Sequence, residues 1–210
     1  MTSSDIGAAE FDDEYAEEQL RRSRHPFRRF VKNFYLRNVL RDVRGATIDF
    51  GCGAGQLLAK LPPGSVGLEL NPHLIKELIR AGFDVRQAAG AMTDFDLGQF
   101  EPGRYETLVI SHVLEHFADP IAAVTRLLAA AERLRVGRII VIVPGAKGFA
   151  SDRTHLTFIN RDYLESHFSR GGVATYRQTR LSYFPGPWEW VGKYFVFHEM
   201  KVVYDRSVGR

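Results

Sequence analysis

At 210 residues, with 45% hydrophobic and 25% charged residues, the chain has the balance of one globular domain with a core of its own. Its single cysteine, Cys52, excludes an internal disulfide framework and a four-cysteine zinc site. No apolar run reaches the length of a membrane span, and the acidic, polar start is unlike a signal peptide, so the chain is read as cytoplasmic.

The net charge of +3 conceals an asymmetry. Residues 1–20 carry seven acids and no base, whereas residues 21–44 carry nine Lys and Arg against the single acid Asp42. Such a split suits a solvated helix, or a cover that docks an anionic small molecule; nucleic acid is not expected, because the rest of the chain is nearly balanced. Residues 27–43 place Phe27, Phe30, Val31, Phe34, Tyr35, Leu36, Val39 and Leu40 at helical spacing, which predicts an amphipathic helix. "GATIDFGCGAG" then reads as strand and tight turn, and "QLLAKL" as the start of a helix. "SVGLEL" is a second buried strand. "NPHLIKELIRAG" is a helix opened at Asn71-Pro72 and stopped at Gly82.

"FDVRQA" and "YETLVISHVL" predict strands three and four. "DPIAAVTRLLAAAERL" is a helix opened by Asp-Pro, and "GRIIVIVP" is a fifth strand, apolar on both faces. Strands alternating with helices, several of them continuously apolar, predict a parallel sheet covered on both sides. After residue 173 the pattern changes. "VATYRQTRLSYF" and "YFVFHEMKVVY" predict an antiparallel pair added to the sheet edge.

The loop "IDFGCGAG" holds Gly51, Gly53 and Gly55 directly after the first strand, where glycine lets the turn close and lets backbone approach a ligand. The dinucleotide pattern G-x-G-x-x-G fails at Gln56. Glu69 ends the second strand, twenty residues after Asp49. A carboxylate there accepts ribose hydroxyls, so the pair of features fits a ribose-bearing ligand without a pyrophosphate.

"IDFGCGAG", "VGLELNP" and "SHVLEHFADP" together resemble the class I S-adenosylmethionine-dependent methyltransferases, in particular the small-molecule group that includes ubiquinone-biosynthesis enzymes. "LLAKLPPGSVGLELNP" and "RVGRIIVIVPG" add a partial likeness to MetW-like proteins. The resemblance covers residues 45–170. It implies a Rossmann-like α/β fold, a mostly parallel seven-stranded sheet with helices on both faces and an antiparallel C-terminal strand pair. It implies residues 1–44 as an N-terminal helical lid and residues 45–210 as the S-adenosyl-L-methionine-binding domain.

In that likeness Asp49 positions the loop and the aminoacyl amine. Backbone of Gly51, Cys52, Gly53 and Gly55 passes the methionine part, Glu69 holds the ribose, and Leu70 packs on the adenine. Ser111 and His112 line the pocket after strand four. The family's acid after strand three is absent: the position is Ala89 or Ala91, so backbone around Ala91 and Met92, or Asp94, would hold the adenine.

His112, Glu115 and His116 also spell H-x-x-E-H, a spacing used by zinc peptidases. That motif needs a long helix, and here the context is a strand and a short loop. Three roles stay open. The residues fix the loop structurally; or His116, with His155 from "SDRTHLTFINRDYL", takes a proton from the acceptor; or they resemble the magnesium constellation of certain methyltransferases, with His112 replacing its first glutamate. Histidine suits a hard cation poorly, so no metal is expected. His155 lies in a loop before a helix that Thr157 or Asn160 caps.

The function expected is methyl transfer from S-adenosyl-L-methionine to an oxygen or nitrogen of a small molecule. The alternatives are a methyltransferase-like scaffold subunit without catalysis, and a methyltransferase acting on RNA or protein.

Overall fold

The computed structural model of the chain describes residues 21, 26–88, 95–168 and 175–207. The elements run α1 (Pro26–Leu40), β1 (Thr47–Phe50), β2 (Val66–Glu69), α2 (Pro72–Arg80), β3 (Val85–Gln87) and β4 (Thr107–Ser111). They continue with α3 (Pro120–Arg133), β5 (Arg138–Pro144), α4 (Ala146–Phe149), α5 (Arg161–Phe168), β6 (Tyr176–Phe184) and β7 (Glu199–Arg206). The seven strands form one sheet in the order β3-β2-β1-β4-β5-β7-β6. β1 to β5 are parallel, and β7 runs antiparallel to both β5 and β6. The expected fold class is therefore the one observed.

β5 shows why the sheet reads as continuously apolar. Ile139, Val141 and Val143 enter the main core with Leu127 and Leu164, whereas Ile140 and Ile142 enter a second cluster with Tyr35, Leu36 and Val39 of α1. Alternate residues face opposite sides, and both sides are covered. The later part of α1 is thus core, with Val39 fully buried.

Sequence signals set the helix starts. The Asn71 carboxamide oxygen accepts from the amides of His73 and Leu74 at 2.9 and 3.1 Å, with Pro72 next in line. Asp119 does the same for Ala122 at 3.0 Å. The expected helix over "QLLAKL" is only a 3-10 turn at Leu58–Lys60. Pro62 and Pro63 follow at once, and six residues are too few to sustain a helix against that stop. Asn160 caps α5 through the Tyr163 amide at 2.8 Å. Thr157 does not cap; its hydroxyl donates to the Phe117 carbonyl at 2.7 Å.

Ion pairs lock the amino-terminal edge of the sheet. Arg138 grips Asp205 with two hydrogen bonds of 2.7 and 2.8 Å. Buried Asp42, just past α1, pairs with Lys201 at 2.6 Å and with Arg180. α1 therefore runs from the carboxyl edge, where Lys32 feels the charge of Glu199, to Asp42 at the opposite edge.

Candidate active site

The carboxyl ends of β1, β2 and β4 meet at the glycine loop. Gly51, Gly53 and Gly55 have φ of +73°, +52° and +71°. A side chain at Gly51 would place its Cβ 2.5 Å from Val113 Cγ2, and one at Gly55 would overlap Leu78. The loop is held to β2, because the amides of Gly51 and Cys52 donate to the Leu68 carbonyl at 2.9 and 3.1 Å. Cys52 is buried, and burial pushes its thiol pKa well up, so it is no nucleophile.

Glu69 stands where the sequence places it, and it has a further task. Its carboxylate accepts from the amides of Gly53 (2.7 Å), Leu70 (2.8 Å) and Asn71 (3.0 Å). The side chain expected to hold a ribose thus staples the loop. A carboxylate offers about four acceptor positions, so roughly one remains, on the Oε2 that bears a single amide. Leu70 is half-buried beside the core. Ala91 and Met92, expected against the adenine, and the alternative Asp94 lie outside the described residues.

Asp49 is buried on β1. Burial raises its pKa to about 7, with Lys32 opposing and Glu69 reinforcing the shift. Lys32 is exposed as a residue, while its ammonium sits among protein atoms. Burial lowers its pKa, and Glu199 and Asp49 oppose that shift. Asp49, Glu69, Glu115 and Glu199 outnumber Lys32 and His112 here, an acidic cleft suited to a cationic ligand.

His112 has φ +55°, and its backbone amide donates to the Ile142 carbonyl at 3.0 Å. Its ring lies between two carboxylates, Glu199 Oε1 at 2.8 Å from Nε2 and Glu115 Oε1 at 3.2 Å from Nδ1. Burial disfavours the charged ring, but the two carboxylates outweigh it and raise the pKa to about 10. The Nδ1 contact is close but lacks hydrogen-bond alignment, since both Glu115 oxygens are without a hydrogen bond. His112 is an imidazolium at neutral pH and not a base. Burial raises the pKa of Glu199 as well, despite its partner, so the proton stays within the pair. Ser111 Oγ lies 2.6 Å from Tyr35 Oη, which joins β4 to α1.

Behind His112, Glu115, His116 and His155 converge, with one ligand-type atom from each lying within 4.8 Å of the others. His116 Nδ1 faces the Thr154 carbonyl at 3.2 Å, and His155 Nδ1 faces the Phe149 carbonyl at 2.9 Å. A carbonyl only accepts, so each Nδ1 carries a proton. His155 Nε2 points at Glu115 Oε1, 3.9 Å away. Burial lowers the pKa of His116, which is neutral at pH 7.

This donor set fits a divalent cation: an orphaned buried carboxylate, and two imidazoles oriented by carbonyls. Two nitrogens and one carboxylate favour borderline zinc, or manganese as a hard ion that binds nitrogen more strongly than magnesium does, over magnesium. Bound there by Glu115, His116 and His155, the ion would act as a Lewis acid on an acceptor oxygen.

A cavity of about 450 Å³ opens beside the carboxyl end of β5. Phe158, Tyr183, Trp190, Lys193 and Met200 line it. Lys32, Tyr35 and Glu199 carry no motif that marks them as site residues in the sequence. They come from α1 and β7, far from any motif, and only the sheet order brings them to β4.

The chain matches a family model described as a methyltransferase domain over residues 19–177. Among solved structures it is similar to a methyltransferase from Archaeoglobus fulgidus, described as S-adenosylmethionine-dependent. That match has 18% identity and a TM-score of 0.65, and covers 92% of this chain and 100% of that one. It is similar to magnesium protoporphyrin IX methyltransferase from Synechocystis PCC 6803 with bound S-adenosylhomocysteine, at 12% identity, covering 94% and 97%, TM-score 0.63. It is also similar to a chain in the complex of the Haloferax volcanii Trm112 methyltransferase activator with a putative methyltransferase, at 15% identity, covering 96% and 98%, TM-score 0.65. No curated protein matches its sequence. With its family model covering most of the chain and its strand order that of the fold, the chain belongs to the methyltransferase domain family, within the class I superfamily whose cofactor is S-adenosyl-L-methionine.

Proposed function

We propose that the protein transfers the methyl group of S-adenosyl-L-methionine to an oxygen or nitrogen of a small molecule. The observation that carries this reading is the convergence of His116 and His155 on Glu115, which lies against His112 at the end of β4, the strand beside β1 and its glycine loop. A cofactor bearing a sulfonium and an ammonium gains from the carboxylates of Asp49 and Glu69. The lone pair of the acceptor attacks the methyl carbon as the carbon–sulfur bond breaks, and S-adenosylhomocysteine leaves. The acceptor's proton passes to the lone-pair nitrogen of His116 or His155. Positioning supplies most of the rate, because the sulfonium is already a good leaving group.

The cavity beside β5 is large enough for a small aromatic acceptor, and Phe158, Tyr183 and Trp190 provide flat apolar walls for one. Lys193 lines it together with Asp162 and Glu189, so its polar edge carries both signs of charge. Residues 1–25 lie outside the described residues except Arg21; we assign them and the start of α1 to a cover over this opening, on the grounds of the charge split.

The test is methyl incorporation. Protein incubated with methyl-labelled S-adenosyl-L-methionine and fractionated small-molecule extract should transfer label to a fraction. Heat on cofactor binding with no label moved to any fraction would point to a non-catalytic subunit.

A further inference from the structure

The face of the sheet that carries α1 gathers arginines that the methyl-transfer reading does not use. Tyr35, Leu36 and Val39 turn one side of α1 into the core, and Arg37 and Arg41 stand one turn apart on its exposed side. Arg44 follows in the turn after the helix and is exposed as well. Two more come from β6, the outer strand of the sheet. Arg177 stands opposite Asp205 in the β6–β7 register, and Arg180 reaches Asp42 just past α1; both are exposed.

The acids among them do not balance this charge. Buried Asp42 is shared between Arg180 and Lys201. Asp205 accepts from Arg138 at 2.7 and 2.8 Å and from the Thr179 hydroxyl at 2.9 Å, with Arg44 at 3.5 Å. Exposed Glu106 stands over Gly45, next to Arg44, where a Cβ on the glycine would overlap its carboxylate. These three acids meet Arg37, Arg41, Arg44, Arg138, Arg177, Arg180 and Lys201. Arg180 and Arg44 keep 58% and 55% of their side chains exposed even while paired. A guanidinium has about five donors, so one carboxylate oxygen leaves most of them open to a second anion.

The sequence supplies that anion. Residues 1–20 lie outside the described residues and carry seven acids and no base. Glu17 and Glu18 precede Arg21 and Arg22 by four residues, a spacing that allows local pairs. Asp5, Glu10, Asp12, Asp13 and Glu14 have no base within four residues. Reach is sufficient. α1 has 15 residues and is about 22 Å long. The twelve residues from Glu14 to Pro26 span about 40 Å when extended, enough to return along the whole helix. The tether also holds these acids at a local concentration that a free anion must exceed to displace them.

We propose that the acidic stretch from Asp5 to Glu14 folds back along α1 and docks on the arginine face of Arg37, Arg41, Arg44, Arg177 and Arg180. Docked so, it latches the cover assigned to residues 1–25. The latch requires neither cofactor nor acceptor, and it stands or falls apart from methyl transfer.

The full chain carrying Arg41→Lys, which keeps the charge and adds a reactive amine, is treated with a carbodiimide that joins a carboxylate to an amine in contact with it. Cofactor and acceptor are left out, and the products are mapped by mass spectrometry. At low salt the monomer should carry a cross-link between position 41 and the stretch that holds Glu10, Asp12, Asp13 and Glu14. At about 1 M salt, where the screening length is about 3 Å, the yield should fall at least about threefold. Adding Arg37→Gln with Arg177→Gln, two exposed side chains whose loss should leave the circular dichroism spectrum unchanged, should lower the low-salt yield by a similar factor. A monomer without the cross-link, or a yield indifferent to salt and to these two arginines, would overturn the proposal. So would cross-links from the acidic stretch to Lys147 or Lys193 in place of position 41, since the segment would then lie at the cavity mouth and not on the arginine face. Cross-links confined to a covalent dimer would overturn it too, because the face would then take the acidic stretch of a second copy.

Discussion

His112 Nε2 stands 2.8 Å from Glu199 Oε1, and this pair ties the end of β4 to the first residue of β7, two strands away in the sheet. The contact also holds His112 in a left-handed backbone conformation, φ +55°, that a non-glycine residue adopts only at a cost. Glu199→Gln should destabilise the fold by about 1.5 kcal/mol, the low end for a hydrogen bond to a charged group, because His112 is a third exposed and partly screened.

The sign with pH follows from the raised histidine pKa. The pair's stabilisation is complete below the unfolded value near 6.5 and is lost as pH rises through about 10. Thermal unfolding of the wild type should therefore weaken from neutral pH to pH 10, and the Gln variant should lose less over that interval.

Arg135 follows α3 with φ +59°, and the amide of Val136 reaches back to the Ala131 carbonyl at 2.9 Å. This is the helix-ending geometry that favours glycine. Arg135 is exposed, so Arg135→Gly should stabilise the protein by about 0.5–1 kcal/mol in urea unfolding.

Glu69→Ala should weaken S-adenosyl-L-methionine binding by about 1.5–3 kcal/mol by calorimetry, as for the loss of a hydrogen bond to a charged group. The structure adds a second effect. The amides of Gly53, Leu70 and Asn71 all lose their acceptor, so the variant should also unfold at lower urea. Wild-type affinity in this variant would take Glu69 out of the site.

Asp49 titrates near 7 without ligand, and a cationic cofactor is bound best by its carboxylate form. Below that pH a proton must be lost for binding, so affinity should fall by up to about tenfold per pH unit. Above it the affinity should level off. Asp49→Asn should bind more weakly at pH 8 and show a flatter profile between pH 5 and 7. An equally steep profile in the variant would assign the dependence to another group.

Much of this site was legible because its signals are local. Gly51, Gly53, Gly55 and Glu69 lie within one strand-turn-strand stretch, and Asn71-Pro72 and Asp119-Pro120 announce their own helices. β5 announced burial on both faces by having no polar position between Ile139 and Val143. The missed residues share a different property. Lys32, Tyr35 and Glu199 reach the cleft only because α1 lies across the sheet and β7 inserts beside β5, and no spacing in a linear sequence encodes that. The charge state of His112 was equally hidden, since it depends on a carboxylate 87 residues away. The apparent helix at "QLLAKL" failed for the opposite reason: its apolar spacing is right, but Pro62 and Pro63 stop it after one turn.

The acid–base prediction separates two uses of the same side chains. His116 and His155 lie with ring centroids 4.8 Å apart beside the orphaned carboxylate of Glu115. As a base acting alone, the true member of the pair should cost about 10²–10⁴-fold in kcat when changed to Ala, with cofactor affinity unchanged. The acid limb of the wild-type rate should lie below about 6.5, because burial holds the His116 pKa under its ordinary value. The assay is run with a chelator present and again with manganese restored. Activity that survives chelation and is lost in one Ala variant identifies a proton acceptor. Activity lost on chelation and regained with manganese identifies ligands, and Glu115→Gln should then remove the manganese response along with the turnover. Near-full turnover in His116→Ala, His155→Ala and the double variant would show that proximity alone drives the transfer.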